Sequence, residues 1–189
     1  MPIYNAPLAD MKFILNDVFQ AEQFWQSNEN LAHVDAATAE AILEEMAKFA
    51  QNVTHPLNRT GDEEGAKIEN GQVTTPAGFK DAFRQYAEGG WIGLAADEEW
   101  GGQGMPKMLT VLADEMLFAT NPSFMLYPLL SVGAGMALNS YASQEQKETY
   151  LPKIYSGEWS GTMCLTEPHA GTDLGIIKTK AERNEDGTY

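Results

Sequence analysis

Apolar positions recur at helical spacing along most of this chain. Asp10 precedes Met11, Ile14, Leu15 and Val18, which predicts a short helix with a carboxylate cap and one apolar stripe. Ser27 to Asn30 is polar and reads as a loop. Asp35 precedes a stronger pattern. Ala39, Ile42, Leu43, Met46, Ala50 and Val53 share one face, and Glu40, Glu44, Glu45 and Lys48 fall mostly on the other, as expected of an amphipathic helix lying on a core. Between His55 and Thr75 no period persists, and the segment reads as a connection. Thr75 and Pro76 then stand in the order of a cap and a first-turn proline, ahead of a helix carrying Phe79, Phe83 and Tyr86 that Gly89 and Gly90 end. Glu99 to Pro106 has the glycine density of a tight loop. Met108, Leu112 and Met116 resume helical spacing from Lys107.

From Met116 to Gln144 there is no charged residue, a run long enough to span a bilayer. Asn121, Pro122, Pro128, Gly133, Gly135, Asn139 and Ser140 interrupt it, which suits a buried helical hairpin in a soluble bundle and not a membrane span. Ser143, with Gln146 three residues on, forms a capping box for a helix that Pro152 is expected to close. The period changes near Trp159. Gly161 to Thr166 suits a strand, and Ile177, Thr179 and Ala181 alternate with Lys178, Lys180 and Glu182 before the turn Asn184-Glu185-Asp186-Gly187. The expected organisation is mainly α: an extension over 1–35, a helical domain over 36–158, and the start of a β-domain over 159–189. One strand and half a hairpin cannot bury their own faces, which implies a piece of a longer protein.

Composition narrows the function classes. Hydrophobic residues make up 43% of the chain, enough for a core, and 12 Lys and Arg against 27 Asp and Glu leave a net charge of −15. Such a surface repels phosphate backbones, so nucleic acid is not an expected partner. A nucleotide cofactor stays compatible, because backbone N–H groups bind phosphate without lysine. Cys164 is the only cysteine, so no intrachain disulfide is possible. The N-terminus lacks the basic and apolar regions of a secretory signal, which makes the cytoplasm the default. His33, His55, His169 and Cys164 show no metal spacing.

The chemistry concentrates in CLTEPHAGTD, Cys164 to Asp173. A strand ends at Thr166, Pro168 stiffens a turn, and Gly171 lies beside the hydroxyl of Thr172 and the carboxylate of Asp173. Glycine lets backbone approach a phosphate, and a neighbouring hydroxyl donates to it. The segment resembles the acyl-CoA dehydrogenase signature at every required position. GLAADEEWGGQGMP and QKETYLPKIYSGEW before it and GIIKTKAER after it are similar to the same family in the same order. The N-terminal MPIYNAPLADMKFIL resembles the extension of a bacterial subgroup.

The resemblance implies the N-terminal helical domain of the acyl-CoA dehydrogenase fold plus the truncated start of its central β-domain. It further implies FAD as cofactor, an acyl-CoA thioester as substrate, an electron-transfer flavoprotein or similar acceptor, a homo-oligomer and a role in fatty acid metabolism. Met163, Cys164, Leu165 and Thr166 would lie along the flavin, and Gly171 and Thr172 would meet its pyrophosphate, Thr172 also approaching the acyl-CoA. The family's base, a glutamate, lies in a part not matched by these residues, so the chain alone is expected to be inactive. Other readings of the same residues stand beside these. Glu167 reads as a turn-stabilising acceptor in place of a base, His169 as a loop side chain, and Cys164 as a small buried hydrophobe. Gly101, Gly102 and Gly104 either cradle phosphate, shape the wall near an acyl pocket or simply turn the chain, and the Met and aromatic residues from Leu117 to Tyr141 either line an acyl tunnel or pack the core. An oxidase or flavin monooxygenase of the superfamily, or a non-catalytic helical scaffold, would share these features.

Overall fold

The computed structural model describes residues 3–189. Helix α1 (Leu8–Phe13) runs into a π-helical turn, Ile14–Val18. Pro7 precedes α1, and Asp10 sits inside its first turn, where it favours the helix dipole without capping it. The wider π turn rotates the stripe: Met11 and Leu15 are buried, whereas Ile14 and Val18 are exposed. Gln20, at φ 47°, starts α2 (Ala21–Gln26), a helix unmarked in the sequence that buries Trp25. This N-terminal unit docks on α3 (Ala36–Phe49). Lys12 Nζ lies 2.9 Å from Glu40 and 2.8 Å from Glu44, and the Ala6 N–H donates to Gln51.

Asp35 caps α3, accepting from the Thr38 N–H at 2.7 Å, a bond worth about 1 kcal/mol. A π turn, Ala50–Thr54, joins α3 to α4 (His55–Glu64), so the stretch expected to be a connection begins as a continuing helix. Proline inside an α-helix removes one hydrogen bond and presses on the carbonyl four residues back. The π turn immediately before Pro56 is the local widening that accommodates it. The rest of that stretch is a hairpin, β1 (Lys67–Glu69) and β2 (Gln72–Thr74), antiparallel with Ile68 opposite Val73. Asn70 and Gly71, both at positive φ, form its two-residue turn. Thr75 is not a cap: Pro76 to Phe79 make a turn, and α5 (Phe79–Glu88) starts after Gly78 at φ 85°.

Three further helices complete the bundle: α6 (Lys107–Thr120), α7 (Pro122–Tyr141) and α8 (Gln144–Tyr155). The capping box of Ser143 and Gln146 is present, but Pro152 does not end α8. Leu151, Ile154 and Tyr155 are buried, and their packing carries the helix one turn past the proline. Leu43, Met46, Leu109, Met116, Leu117, Met125 and Leu151 are almost wholly enclosed, and Phe124 packs edge-on to Tyr86 at 5.8 Å. The charge-free run is thus a helical hairpin in the bundle. Among the described residues no helix is long and apolar enough to cross a membrane.

Past Trp159 the structure departs from expectation. Gly161 to Thr166 is extended but is not a strand, and neither is 177–182. A strand is defined by a partner, and the backbone groups of 162–166 find none among the described residues.

Candidate functional site

The signature segment is seated on α7 by residues outside the motif. The Gly161 N–H donates to the Ser131 hydroxyl at 3.1 Å, and Ser131 is buried. A Cβ at Gly161 would stand 2.4 Å from the Ala134 Cβ and 3.0 Å from the Leu130 carbonyl, so only glycine lets the chain lie this close. Thr162 and Met163 then run along a cavity of about 500 Å³ that Leu129, Leu130, Gly133, Ala134 and Ala137 of α7 also line. Ser131 and Gly161 carry no motif, and the sole sequence signal for them is a hydroxyl in an otherwise apolar helix.

The turn that follows is tied from both sides. Glu167 and Ala170 exchange two backbone hydrogen bonds of 3.0 Å, and Ala170 is buried. The Glu167 carboxylate accepts from the Lys178 and Thr179 N–H groups, each at 2.9 Å, and from the Thr179 hydroxyl. These donors, the hydroxyl first, hold its pKa below the usual carboxylate value. Glu167 is therefore a turn-stabilising acceptor, both of its carboxylate oxygens engaged by the chain's own donors. The His169 ring lies 3.1 Å from the Ile176 carbonyl oxygen and 3.3 Å from Glu167, bracing the same turn. Asp173 accepts from the Gly175 N–H at 3.0 Å and starts a single 3-10 turn, Leu174–Ile176.

Between these anchors Gly171 and Thr172 project outward. Nothing lies within 4 Å of a Cβ built on Gly171. The N–H groups of Gly171, Thr172 and Asp173 and the Thr172 hydroxyl donate to no group among the described residues. Adjacent free N–H groups beside a hydroxyl are the donor set an anionic oxygen takes up. Met163, Cys164, Leu165 and Thr166 likewise keep their backbone donors and acceptors free. Cys164 corrects the packing expectation: the thiol is exposed, because the extended segment has no layer over it among the described residues.

The glycine loop behaves oppositely. Gly101 and Gly102 donate to Glu98 and Asp97, and Gln103, Gly104 and Met105 donate to Gly93, Ala96 and Leu94 at 2.9 Å each. With every N–H engaged, this loop is not a phosphate cradle. It forms a wall: Ala96, Met105 and Pro106 border a second, partly open cavity, of about 340 Å³, lined also by residues of α5, α6, α7 and α8. Leu129, Val132 and Met136 of α7 and Lys107 of α6 line both cavities, and Met125 lines the second. Met residues of the charge-free run thus serve both packing and lining.

Residues 36–158 match the model for the acyl-CoA dehydrogenase N-terminal domain. The chain belongs to the acyl-CoA dehydrogenase family. A 3-methylmercaptopropionyl-CoA dehydrogenase of Ruegeria pomeroyi is 40% identical over 98% of this chain and 32% of its own length. A butyryl-CoA dehydrogenase of Syntrophomonas wolfei is 32% identical over 94% of this chain and 29% of its own. The chain therefore spans about a third of the length of these acyl-CoA dehydrogenase relatives. Among solved structures, an acyl-CoA dehydrogenase complexed with FAD from Bacillus anthracis superposes with a TM-score of 0.67 at 25% identity, covering 82% of this chain and 25% of that one. Among the described residues no group of three or more His, Cys, Asp or Glu could hold a metal ion.

Proposed function

We propose that the protein carrying this chain is an FAD-dependent acyl-CoA dehydrogenase that oxidises an acyl-CoA thioester to the enoyl-CoA. The observation that carries this reading is the pair of unpartnered donor sets, one at Met163 to Thr166, where Met163 borders the cavity on α7, and one at Gly171 to Asp173. FAD, when bound, supplies the acceptor for the hydride that leaves the β-carbon. The free backbone groups of Met163 to Thr166 and the Thr166 hydroxyl would bind the edge of the flavin ring, and Gly171 and Thr172 would hold the pyrophosphate, with Thr172 also facing the acyl-CoA. The small side chains Gly133, Ala134 and Ala137 leave room along α7 for the thioester. Because Glu167 is occupied by three donors, the α-proton is assigned to a carboxylate elsewhere in the enzyme.

The family further supports an electron-transfer flavoprotein as acceptor, a homo-oligomer and a role in fatty acid metabolism. The N-terminal similarity favours a bacterial subgroup that includes the 3-methylmercaptopropionyl-CoA enzymes. The test is the visible spectrum of the full-length holoenzyme during anaerobic addition of acyl-CoA thioesters. Bleaching of the flavin is expected. A bound flavin that no thioester reduces would place the protein among monooxygenases, a bleached flavin that air rapidly reoxidises would make it an oxidase, and a folded protein unable to take up FAD would make it a scaffold.

A further inference from the structure

The second cavity has a polar side that the flavin and the thioester leave unexplained. Asp114 of α6 is half-buried in its wall and accepts no hydrogen bond and makes no ion pair among the described residues. Burial pushes its carboxyl above the ordinary range, and only the Lys107 charge opposes this. Tyr86 is buried in the same wall with its hydroxyl unpartnered, and its pKa is raised by burial and then by the charge of Asp114, so the two groups are neighbours electrostatically. A second carboxylate, Asp97, also lines the space and accepts from Asn139 at 2.8 Å. The rest of the wall is mostly apolar, with Trp91, Met105, Met125 and Val132 among its members, and Lys107, Thr110, Ser140 and Tyr155 add the other polar groups. The volume equals about eleven waters. Leu129, Val132, Met136 and Lys107 face both cavities, so a chain entering beside Met163 meets this space after one layer of side chains.

On the family's reading this space takes the far end of the acyl chain; we propose that Asp114 sets the selectivity there, disfavouring acyl groups that end in a carboxylate and favouring uncharged tails, above all those ending in a hydroxyl. This rests on the acyl-CoA dehydrogenase reading. A terminal carboxylate would face Asp114 and Asp97 with one lysine at the rim, and like charges brought together away from water are strongly unfavourable. A terminal hydroxyl would instead donate to the free carboxylate. A site with an unpartnered polar group discriminates sharply between tails that satisfy it and tails that oppose it.

The experiment compares kcat/KM of the full-length holoenzyme and its Asp114→Asn variant on hexanoyl-, 6-hydroxyhexanoyl- and adipyl-CoA. Ratios between substrates cancel any loss of folding or flavin common to all three. The wild-type enzyme is expected to prefer hexanoyl over adipyl by about a hundredfold or more, and Asp114→Asn to narrow that ratio about tenfold while lowering the hydroxyhexanoyl-to-hexanoyl ratio. In a second variant, Val132→Phe, the shared wall is filled, and hexanoyl-CoA should lose about tenfold relative to butyryl-CoA. Ratios unchanged by both substitutions overturn the proposal, as does a wild-type enzyme indifferent to the terminal carboxylate. A flavin that none of these thioesters reduces overturns the dehydrogenase reading itself, a result visible before any variant is made.

Discussion

Asn121, between α6 and α7, offers a sharp test of how the bundle is held. It is 1% exposed. Its carbonyl oxygen accepts from the Phe124 N–H at 3.0 Å, capping α7, and its amide donates to the Thr54 carbonyl at 3.2 Å, reaching the π turn after α3. Beside it the Thr54 and Thr120 hydroxyls meet at 2.8 Å. Asn121→Ala removes the cap, worth about 0.5–2 kcal/mol. It also leaves the buried Phe124 N–H without a partner, at about 1–3 kcal/mol. The two estimates overlap in part, so a loss of about 2–4 kcal/mol is expected. Asn121→Asp keeps the cap acceptor but loses the donor and sets a charge against the Thr54 carbonyl. That carboxyl would have a raised pKa in the folded state, so its penalty should be full at neutral pH and fade as pH falls toward the unfolded value. Urea unfolding followed by circular dichroism measures both, with an unchanged m-value showing that stability has shifted and not the denatured state. Either variant lying within about 0.5 kcal/mol of wild type at pH 7 would refute the reasoning. Since α7 seats the signature segment through Ser131, Asn121→Ala should also weaken flavin retention in the full enzyme.

Three other outcomes are expected. The folded-state pKa of Asp114 is raised from 3.8, chiefly by burial, so the stability it contributes is greatest below that value and is lost as pH rises through the folded one; Asp114→Asn should gain on wild type in thermal midpoint as pH rises above 3.8. An equal offset at all pH values would contradict this. Gly102→Ala would bring a Cβ to 2.1 Å from the Ala96 carbonyl oxygen, displacing the loop wall at a cost of about 1–3 kcal/mol, to be read by thermal denaturation. Glu167→Ala releases Lys178 and Thr179 from the turn, and FAD affinity of the full enzyme, followed by flavin fluorescence, should fall about tenfold, as for loss of a few oriented hydrogen bonds. Unaltered affinity would mean that the Gly171–Thr172 corner holds its shape without that anchor.

Which elements were legible follows from where their determinants lie. The caps at Asp35 and Ser143 are local, a side chain and an N–H three residues apart, and both formed where the sequence placed them. Prolines misled in both directions. Pro152 reads as a stop, yet buried Leu151 and Tyr155 hold the helix together across it, and Pro56 reads as part of a connection although a π turn absorbs it. Helix α2 has only Ala21 and Trp25 buried, too little periodicity to register over six residues. In the hairpin every strand residue is exposed, so hydropathy is silent, and the informative signal is the dipeptide Asn70-Gly71 alone.

The site divides along the same line. The chemistry of Cys164 to Asp173 is readable because residue type determines it: Gly171 is bare, Thr172 offers a hydroxyl donor, and Glu167 accepts. Where those atoms point is determined elsewhere, by a hydroxyl in the middle of α7 and by a glycine whose lack of a side chain matters only because Ala134 and Leu130 stand opposite. Such pairings join positions about thirty residues apart and leave no local pattern. The same logic separates the two glycine-bearing loops. Gly101 to Gly104 and Gly171 to Asp173 both read as places for an anion in sequence, but the first has a facing run of carbonyls, from Gly93 to Glu98, that consumes its donors, while the second has none among the described residues. Glycine density marks a tight approach of backbone to something; whether that something is the protein's own carbonyls or a ligand's oxygens depends on which donors the fold has left over.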